Sequence, residues 1–485
     1  MMRPLGIYER YSLCRTNTGN APVVVFTALL PSTSSATPVR SRLLNAISEL
    51  LVRYPLLNCS VAGPRTTQPC FRLRDDVTAD QIVEERAAEE RLTAEDALLQ
   101  GIEAGKGLDV EAGPLWKVWL CGEDDVSERR LVLILSHIVA DGSGARNLFA
   151  ELLSLLHPKA TPSTPSSTTG PFPPMLESTV DLRPSTLHLV RTVVSEIIAP
   201  RLPSFIRPKA LSIWPNPPLC PPCDQPTALK LLTLPASLAG GLSTTSKSHS
   251  VATLHPLLYT AALAAIACSV SPSSSAPLQL LGQTPISLRS PALDHPSATG
   301  NYASFPAGQL HSLLSPSTTS FWPLCRSYAA HLALPSTRQA AKEAMGMLAY
   351  IPDGDASVRD ERTGQVLEQR TGWEQWLEEG MRKAEPWKGS FNVSNLARLP
   401  STGWEAEGLK GVCWAQAGTP NAAALQLNAI SAGGDLAITV TWRKGAIDDG
   451  VVDRIWATYE HLLRRLAVDD VAEEATLADL LPLRN

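Results

Sequence analysis

Two proline-rich stretches in the middle of the chain constrain its fold more than any other feature. Residues 158–175 read PKATPSTPSSTTGPFPPM, and residues 201–226 are almost as rich in proline. Each proline removes a backbone N–H donor and fixes φ, so neither stretch can hold a helix or a central strand. We therefore predict two lobes, at residues 1–157 and 227–485, joined by a proline-rich crossover at 158–226.

Composition and charge limit what such a two-lobed chain can do. Its 485 residues are 44% hydrophobic and 18% charged, as in ordinary globular proteins. Lys+Arg 42 against Asp+Glu 47 gives a net charge of −5 without a long basic run, so nucleic-acid binding is not expected. The longest apolar run, 257–270, is shorter than the ~20 residues that cross a bilayer. We expect no transmembrane segment.

The nine cysteines are scattered along the chain, and Glu9 and Arg10 stand where a signal peptide would need apolar residues. We therefore expect reduced thiols and a cytoplasmic protein. We also expect the protein to be a monomer. One tight pair, Cys220 and Cys223 in CPPC, could begin a zinc or redox site. No second CxxC or CxxH completes a tetrahedral shell, so we predict no metal.

Apolar spacing predicts an α/β (α+β) fold with mixed sheets. In the first half, 22–30 is a strand candidate, followed by a helix that Pro55 stops. Residues 114–121 and 130–136 read as a hairpin, and the second strand is apolar throughout, which is typical of a strand buried on both faces. A helical period then resumes at 145–156.

The second half is predicted to repeat this plan of strands and helices. Its predicted helices span 250–269 and 451–466, and its predicted strands are 279–288, 391–396, 412–416, 423–430 and 436–442.

The buried strand of the first half ends at His137, which opens the motif HxxxDG with Asp141 and Gly142. Three fixed positions of this kind arise by chance about 0.03 times in a chain of this length. An imidazole titrates near neutral pH, so a rigidly held His137 is a candidate general base. Gly142 favours a tight turn, so we expect Asp141 to hold that turn rather than the imidazole. The alternative is a solvated histidine at a strand end, with Asp141 capping the next helix.

SHIVADG after an apolar strand resembles the HxxxDG motif of the chloramphenicol acetyltransferase-like superfamily. Further segments, taken in order, resemble the fungal alcohol O-acetyltransferase family, whose relatives also acetylate amines in secondary metabolism. These segments are RPLGIYERY, LLVRYPLL, PLWKVWL, PISLRS with GNYASF, GSFNVSNLA and AITVTWRKGAIDD. The plant branch's DFGWG is absent. The resemblance implies two lobes with a tunnel between them, which acyl-CoA enters at one end and the acceptor at the other, and a histidine at the middle.

The resemblance also implies roles for individual residues. His137 matches the family's general base, and Asp141 matches a structural aspartate whose implied partner is Arg289. The remaining matches are tunnel and oxyanion residues: Ser394 and Asn395, which face the histidine, and Asn301 and Tyr302 on the other lobe's wall. Each of these four could instead be a turn residue that closes a strand.

The predicted reaction is acyl-CoA-dependent O-acyl transfer, most simply acetyl transfer from acetyl-CoA to a small-molecule alcohol in a ternary complex. Acetyl-CoA would be a cosubstrate, and we predict no permanently bound cofactor. Three alternatives stay open: transfer to an amine or sphingoid-type acceptor, a catalytically inactive binding protein of the same fold, and a condensation domain acting on carrier-bound thioesters.

Overall fold

The structure, a computed structural model, describes most of the chain. The described residues are 1–32, 38–86, 92–122, 128–158, 171–203, 205, 213–215, 225–270, 278–289, 299–305, 307–312, 314–382, 387–445 and 447–481. Cys220 and Cys223 lie outside them.

Strands and helices alternate along both halves. The strands in the described residues are β1 (Met2–Pro4), β2 (Val23–Pro31), β3 (Cys59–Ala62), β4 (Cys70–Leu73), β5 (Val83–Arg86), β6 (Trp116–Cys121), β7 (Glu128–Ser136), β8 (Thr227–Leu234), β9 (Gln279–Thr284), β10 (Ala307–Ser312), β11 (Val358–Arg359), β12 (Val366–Glu368), β13 (Gly389–Arg398), β14 (Lys410–Gln416), β15 (Ala423–Ala432) and β16 (Asp435–Arg443). The α-helices there are α1 (Ile7–Asn17), α2 (Val39–Arg53), α3 (Ala79–Ile82), α4 (Ala94–Lys106), α5 (Gly142–Leu156), α6 (Leu176–Thr179), α7 (Thr186–Val193), α8 (Ala236–Ser248), α9 (Leu254–Ser269), α10 (Phe321–Ala333), α11 (Pro335–Gly346), α12 (Gly372–Met381) and α13 (Asp449–Val468).

The first lobe is built on a five-stranded mixed sheet in the order β14-β2-β7-β6-β5. The predicted hairpin is confirmed, since β6 and β7 pair antiparallel with Trp116 opposite Leu135. Strand β7 lies between β2 and β6, and its residues 131–136 are all buried. Burial on both faces explains why this strand is continuously apolar rather than alternating.

Helices cover both faces of this sheet. Successive side chains of β2 point to opposite faces, so Val25 and Phe26 meet different layers. Val25 faces α4, where a Cβ on Gly101 would stand only 2.8 Å from its Cγ1. Phe26 packs on Phe149 of α5, with ring centroids 5.3 Å apart. The glycine lets α4 approach the strand closely, and the sheet is sandwiched between two helical layers.

One strand of the first sheet comes from the second half of the sequence. Strand β14 pairs antiparallel with β2, with Trp414 opposite Phe26. Residues 410–416 therefore belong to the sheet of the first lobe although they fall within the predicted second lobe. The predicted boundaries at 157 and 226 remain a prediction, and the two halves are tied together by a shared sheet.

The second lobe is built on a six-stranded mixed sheet in the order β10-β9-β13-β15-β16-β8. Strand β13 runs parallel to both β9 and β15, while the other neighbours are antiparallel. Helix α9 is buried along most of its length and packs with α13 and α10. The strand predicted over 279–288 is too long: β9 ends at Thr284, because Pro285 has no N–H to continue the ladder.

A crossover helix connects the lobes. Helix α7 continues into a π turn at Val194–Ile198 and a 3₁₀ turn at Ala199–Arg201. Helix α7 lies between the two proline-rich stretches, in a part of the crossover that contains few prolines and can form a helix. Among the described residues, no helix is both long enough and apolar enough to cross a membrane.

Candidate active site

His137 lies where β7 ends, in the wall of a cavity of about 1230 Å³ between the lobes. Its backbone N–H donates to the carbonyl of Pro22, at 2.8 Å, which fixes the strand end. The cavity is also lined by residues of the second lobe, such as Ser394, and of the crossover helix, such as Leu189. A reactive side chain therefore stands at a space that both lobes enclose.

Asn301 fixes the orientation and the tautomer of His137. The side-chain Nδ2 of Asn301 lies 2.9 Å from the carbonyl oxygens of His137 and Ile138, which can only accept hydrogen bonds. The Oδ1 atom must then face His137 Nδ1, at 3.0 Å, so Nδ1 carries the proton. No described residue hydrogen-bonds Nε2. The imidazole thus presents its unprotonated nitrogen and can accept a proton.

The surroundings of His137 keep it neutral. Burial lowers the pKa of its imidazole, the nearby Asp141 carboxylate partly opposes this, and the Arg15 guanidinium lowers it further. A histidine with a pKa below its ordinary value is a free base at neutral pH. This is the protonation state that general-base catalysis needs.

Asp141 holds the turn after His137 and does not touch the imidazole. Its carboxylate caps α5 by accepting from the N–H of Gly144, at 2.8 Å, and accepts from the N–H of Tyr302, at 2.8 Å. Arg289 Nη1 donates to both carboxylate oxygens, at 2.8 and 2.6 Å. Burial alone would raise the pKa of Asp141, but Arg289 and the two N–H groups hold it below its usual value. The carboxylate is therefore ionised and bound by both lobes.

The segment 299–302 is joined to this turn through its backbone as well. Gly300 donates to the carbonyl of Val139, at 2.6 Å, and its carbonyl accepts from the N–H of Asp141, at 3.2 Å. Gly300 has φ of +90°, and a Cβ there would meet the ring of Tyr302 at 2.7 Å. Glycine is required at this position because the backbone conformation and the close ring both exclude a side chain.

Asn301 and Tyr302 are the residues predicted for the tunnel wall of the other lobe. Both are buried, at 3% and 2% exposed, and neither lines the cavity. Asn301 is turned toward the backbone of the HxxxDG turn, and the Tyr302 hydroxyl donates to the carbonyl of Pro174, at 2.6 Å. Their neighbours Ala303 and Ser304 line the cavity instead.

Ser394, Asn395 and Gly142 do line the cavity. The hydroxyl of Ser394 on β13 has no hydrogen-bond partner among the described residues, so it is available to a bound molecule. Asn395 Oδ1 accepts from the N–H of Ala397, at 2.8 Å, where φ is +57°. The oxygen of Asn395 is thus used in a local turn, whereas the hydroxyl of Ser394 is free to act as a donor.

Two residues of α1 that sequence reasoning missed stand beside His137. The ring of Tyr8 lies 5.6 Å from the imidazole, centroid to centroid, and both residues line the cavity. Burial raises the pKa of the Tyr8 hydroxyl, so it stays protonated. Arg15 lines the same cavity and hydrogen-bonds Thr419. Tyr8 lies within the RPLGIYERY segment of the resemblance, whereas Arg15 lies beyond it. The apolar residues of α1 have too weak a helical periodicity to predict the helix.

No group of three or more histidine, cysteine, aspartate or glutamate side chains within the described ranges could hold a metal ion. The seven cysteines there are all free thiols.

We expect Asn301→Ala to lower kcat by about 10- to 100-fold, because the imidazole loses the contact that fixes its tautomer and position. Asn301→Asp should keep an acceptor for Nδ1–H, and its negative charge should raise the pKa of His137. The acid limb of the pH–rate profile should then move to higher pH in Asn301→Asp. If Asn301→Ala keeps the wild-type kcat and pH profile while folded, the positioning role is wrong.

Several solved structures share this fold over nearly the whole chain. One is TRI3 trichothecene 15-O-acetyltransferase from Fusarium sporotrichioides, with a TM-score of 0.67 and 12% identity, covering 96% of this chain and 94% of that chain. The condensation domain of the Monacolin K polyketide synthase MokA has a TM-score of 0.62 and 14% identity, covering 99% of each chain. The epimerization domain of the third module of tyrocidine synthetase B has a TM-score of 0.60 and 13% identity, covering 96% of each chain.

No protein-family model matches the chain, and no curated protein matches it in sequence. At identities of 12 to 14% the likeness concerns the fold alone. The chain has the two-lobed fold that these three structures share, which confirms the predicted fold class. Membership of the fungal alcohol O-acetyltransferase family remains a prediction.

Proposed function

We propose that the protein is an acyl-CoA-dependent O-acyltransferase that transfers an acyl group, most simply acetyl, to an alcohol. The observation that carries the proposal is the single tautomer of His137, which leaves Nε2 as a free base at a cavity enclosed by both lobes. A cavity of about 1230 Å³ can admit two substrates at once. The shared fold of an O-acetyltransferase agrees with this reaction.

In the proposed mechanism Nε2 of His137 takes the proton of the acceptor hydroxyl as its oxygen attacks the thioester carbonyl carbon. The tetrahedral intermediate carries its negative charge on the former carbonyl oxygen. Collapse breaks the C–S bond, and the imidazolium returns the proton to the departing CoA thiolate. One base thus serves both steps, and no covalent acyl-enzyme is needed.

The hydroxyl of Ser394 is the proposed donor to the developing oxyanion, since it lines the cavity without a partner among the described residues. A preorganised donor of this kind contributes about 10²- to 10³-fold in rate. Asn395 is another candidate donor, because its Oδ1 accepts from Ala397 and its amide Nδ2 has no hydrogen-bond partner among the described residues. The protonated hydroxyl of Tyr8, on α1 of the first lobe, is a further proposed donor, because Tyr8 also lines the cavity.

We expect release of free CoA thiol from acetyl-CoA only when an acceptor is present, with double-reciprocal plots that intersect. Both substrates must occupy the cavity together if His137 deprotonates the acceptor directly. A screen of alcohol and amine acceptors, followed by longer acyl donors, would identify the substrate class.

Parallel double-reciprocal lines, or an acetyl adduct in the intact mass after incubation with acetyl-CoA alone, would contradict the ternary route. No thiol release with any acceptor, combined with measurable binding of acetyl-CoA by titration calorimetry, would identify a binding protein of the same fold. Turnover only with donors attached to a carrier protein would instead favour a condensation reaction.

A further inference from the structure

Amide side chains form part of the cavity wall next to Ser394. Along β13, Phe391 and Val393 belong to the apolar core of the second lobe. Because successive side chains of a strand point to opposite faces, Asn392 and Ser394 face the other way, toward the cavity that both of them line. Gln426 of β15 stands beside Asn392 in the sheet. The surface around the proposed oxyanion donor is therefore polar.

The hydrogen bonds of Gln426 fix the orientation of the amides around it. Its Nε2 donates to the carbonyl of Ala423, at 3.1 Å, so its Oε1 is the atom that faces the other amides. That oxygen accepts from Nδ2 of Asn392, at 3.0 Å, and from Nε2 of Gln416 on β14, at 3.4 Å. Gln416 Nε2 also donates to Asn428 Oδ1, at 2.8 Å. Asn392 and Gln416 therefore use their NH₂ groups within the protein.

This arrangement leaves three amide oxygens of the cavity wall without a partner. No described residue hydrogen-bonds Oδ1 of Asn392, which is only 7% exposed, or Oε1 of Gln416. Asn421, which follows β14, donates through Nδ2 to the carbonyl of Leu377, at 3.1 Å, and its Oδ1 is likewise unpaired in the described part of the chain. All three residues line the cavity. We call Asn392, Gln416, Asn421 and Gln426 the amide wall.

Unpaired hydrogen-bond acceptors on the wall of a binding cavity select molecules that bring donors. A buried polar group costs free energy unless it is hydrogen-bonded, so a bound molecule gains most by offering O–H or N–H groups to these oxygens. A molecule that places only apolar groups there leaves the oxygens unpaired and is bound less tightly. The amide wall is therefore suited to a substrate with several hydrogen-bond donors.

The chemistry of the amide wall favours hydroxyl groups over ammonium groups and amide N–H groups. None of its four side chains is ionised, so a buried ammonium group would lack a counter-charge there. Of the carboxylates among the described lining residues, Asp141 is bound by Arg289, and Glu379 is exposed and accepts from Gln375. An amide N–H, as in the pantetheine arm of acyl-CoA, comes with a carbonyl that these oxygens cannot pair. A hydroxyl brings a donor without a carbonyl.

We infer that the acyl acceptor is a polyhydroxylated alcohol, of which one hydroxyl is acylated at His137 while others donate to the amide wall. The inference rests on the proposed function, because it names the acceptor class of the same site. In the chemical step the bond between the hydroxyl oxygen and the acyl carbon forms, the C–S bond breaks, and the proton ends on the CoA thiol. Ser394 and Asn392 are two residues apart on one face of β13, which is about 6–7 Å, so a chain of a few carbon atoms spans both.

Acceptors built on one six-carbon chain test this inference, with acetyl-CoA as donor and free CoA thiol as the readout. In wild type, kcat/KM should rise from 1-hexanol through 1,2-hexanediol to sorbitol, by at least ~10-fold in all. Asn392→Leu and Gln416→Leu should each lower the ratio of kcat/KM for sorbitol to that for 1-hexanol by about 10-fold. The matched control is Gln309→Leu on β10, which should keep the wild-type ratio. Gln309 Oε1 is also unpaired among the described residues, but Gln309 does not line the cavity.

Asn392 and Gln416 lie on different strands, so either variant that keeps the wild-type Tm is sufficient for the test. A wild-type ratio of one or less, or the same ratio in wild type and variants, would overturn the inference while acyl transfer to 1-hexanol still supports the proposed function. A raised KM for acetyl-CoA with an unchanged ratio would assign the amide wall to the pantetheine arm instead. A better rate with 6-amino-1-hexanol than with sorbitol would assign it to an ammonium group. No thiol release with any of these acceptors would contradict the proposed function, and the inference with it.

Discussion

Replacing His137 with alanine is expected to lower kcat/KM for acyl transfer by about 10²- to 10⁴-fold while leaving binding of acetyl-CoA nearly intact. The variant removes the imidazole whose Nε2 is left as a free base by the hydrogen bond between Nδ1 and Asn301. Initial rates of thiol release, titration calorimetry with acetyl-CoA and the Tm would separate lost chemistry from lost folding.

The control for this prediction is His331→Ala, because His331 does not line the cavity and should be dispensable. In wild type the rate should stay flat near neutral pH and fall only at acidic pH. The rate falls only at acidic pH because burial lowers the pKa of His137. The imidazole is therefore protonated, and lost as a base, only at a pH below the ordinary pKa of histidine. If the His137→Ala variant keeps most of the wild-type rate of thiol release at neutral pH, His137 is not the general base.

Removing either member of the Asp141–Arg289 ion pair is expected to cost about 3–5 kcal/mol of unfolding free energy, because each leaves the other charge buried or partly buried without its partner. Side-chain exposure is 2% for Asp141 and 17% for Arg289. Both alanine variants should also lose activity, since the carboxylate fixes the turn that carries His137. The double variant should be less destabilised than the sum of the single variants, because the pair is lost only once.

A double-mutant cycle on a solvent-exposed ion pair serves as the control for Asp141 and Arg289. It uses Arg464 and Glu460, which lie one helical turn apart on α13 and whose side chains are 46% and 37% exposed. Its coupling should not exceed about 1 kcal/mol. Denaturant unfolding of the four proteins in each cycle measures both couplings. Strictly additive losses for Asp141 and Arg289 would show that the contact does not stabilise the turn.

The position of the base depends on how the two lobes meet. Asp141 and His137 belong to the first lobe, while Arg289, Asn301 and Tyr302 come from the second. The hydrogen bonds that Asn301 makes with the imidazole and that Arg289 and Tyr302 make with the turn therefore cross between the lobes. A change in their relative placement would move the base, so the ion pair couples lobe packing to the geometry of the cavity.

Local pattern was enough for several elements of this protein. The apolar run of β7 predicted a strand buried on both faces, and the motif that follows placed His137 at its end. Helix α5 could be predicted because its buried residues recur at helical spacing and Asp141 is a strong N-cap. Helix α1 was missed because its hydrophobic residues are not segregated to one face.

The sequence by itself determined the mixed α/β fold class, the buried hairpin and the position of His137 at its end, because periodicity and motif spacing act over short stretches of chain. Tertiary structure alone decided that β14 joins the first sheet, that Asn301 turns inward to fix the imidazole, and that Tyr8 and Arg15 stand beside it. These contacts join residues more than a hundred positions apart. Their partners are chosen by packing and by the need to satisfy buried polar groups, which no local pattern records.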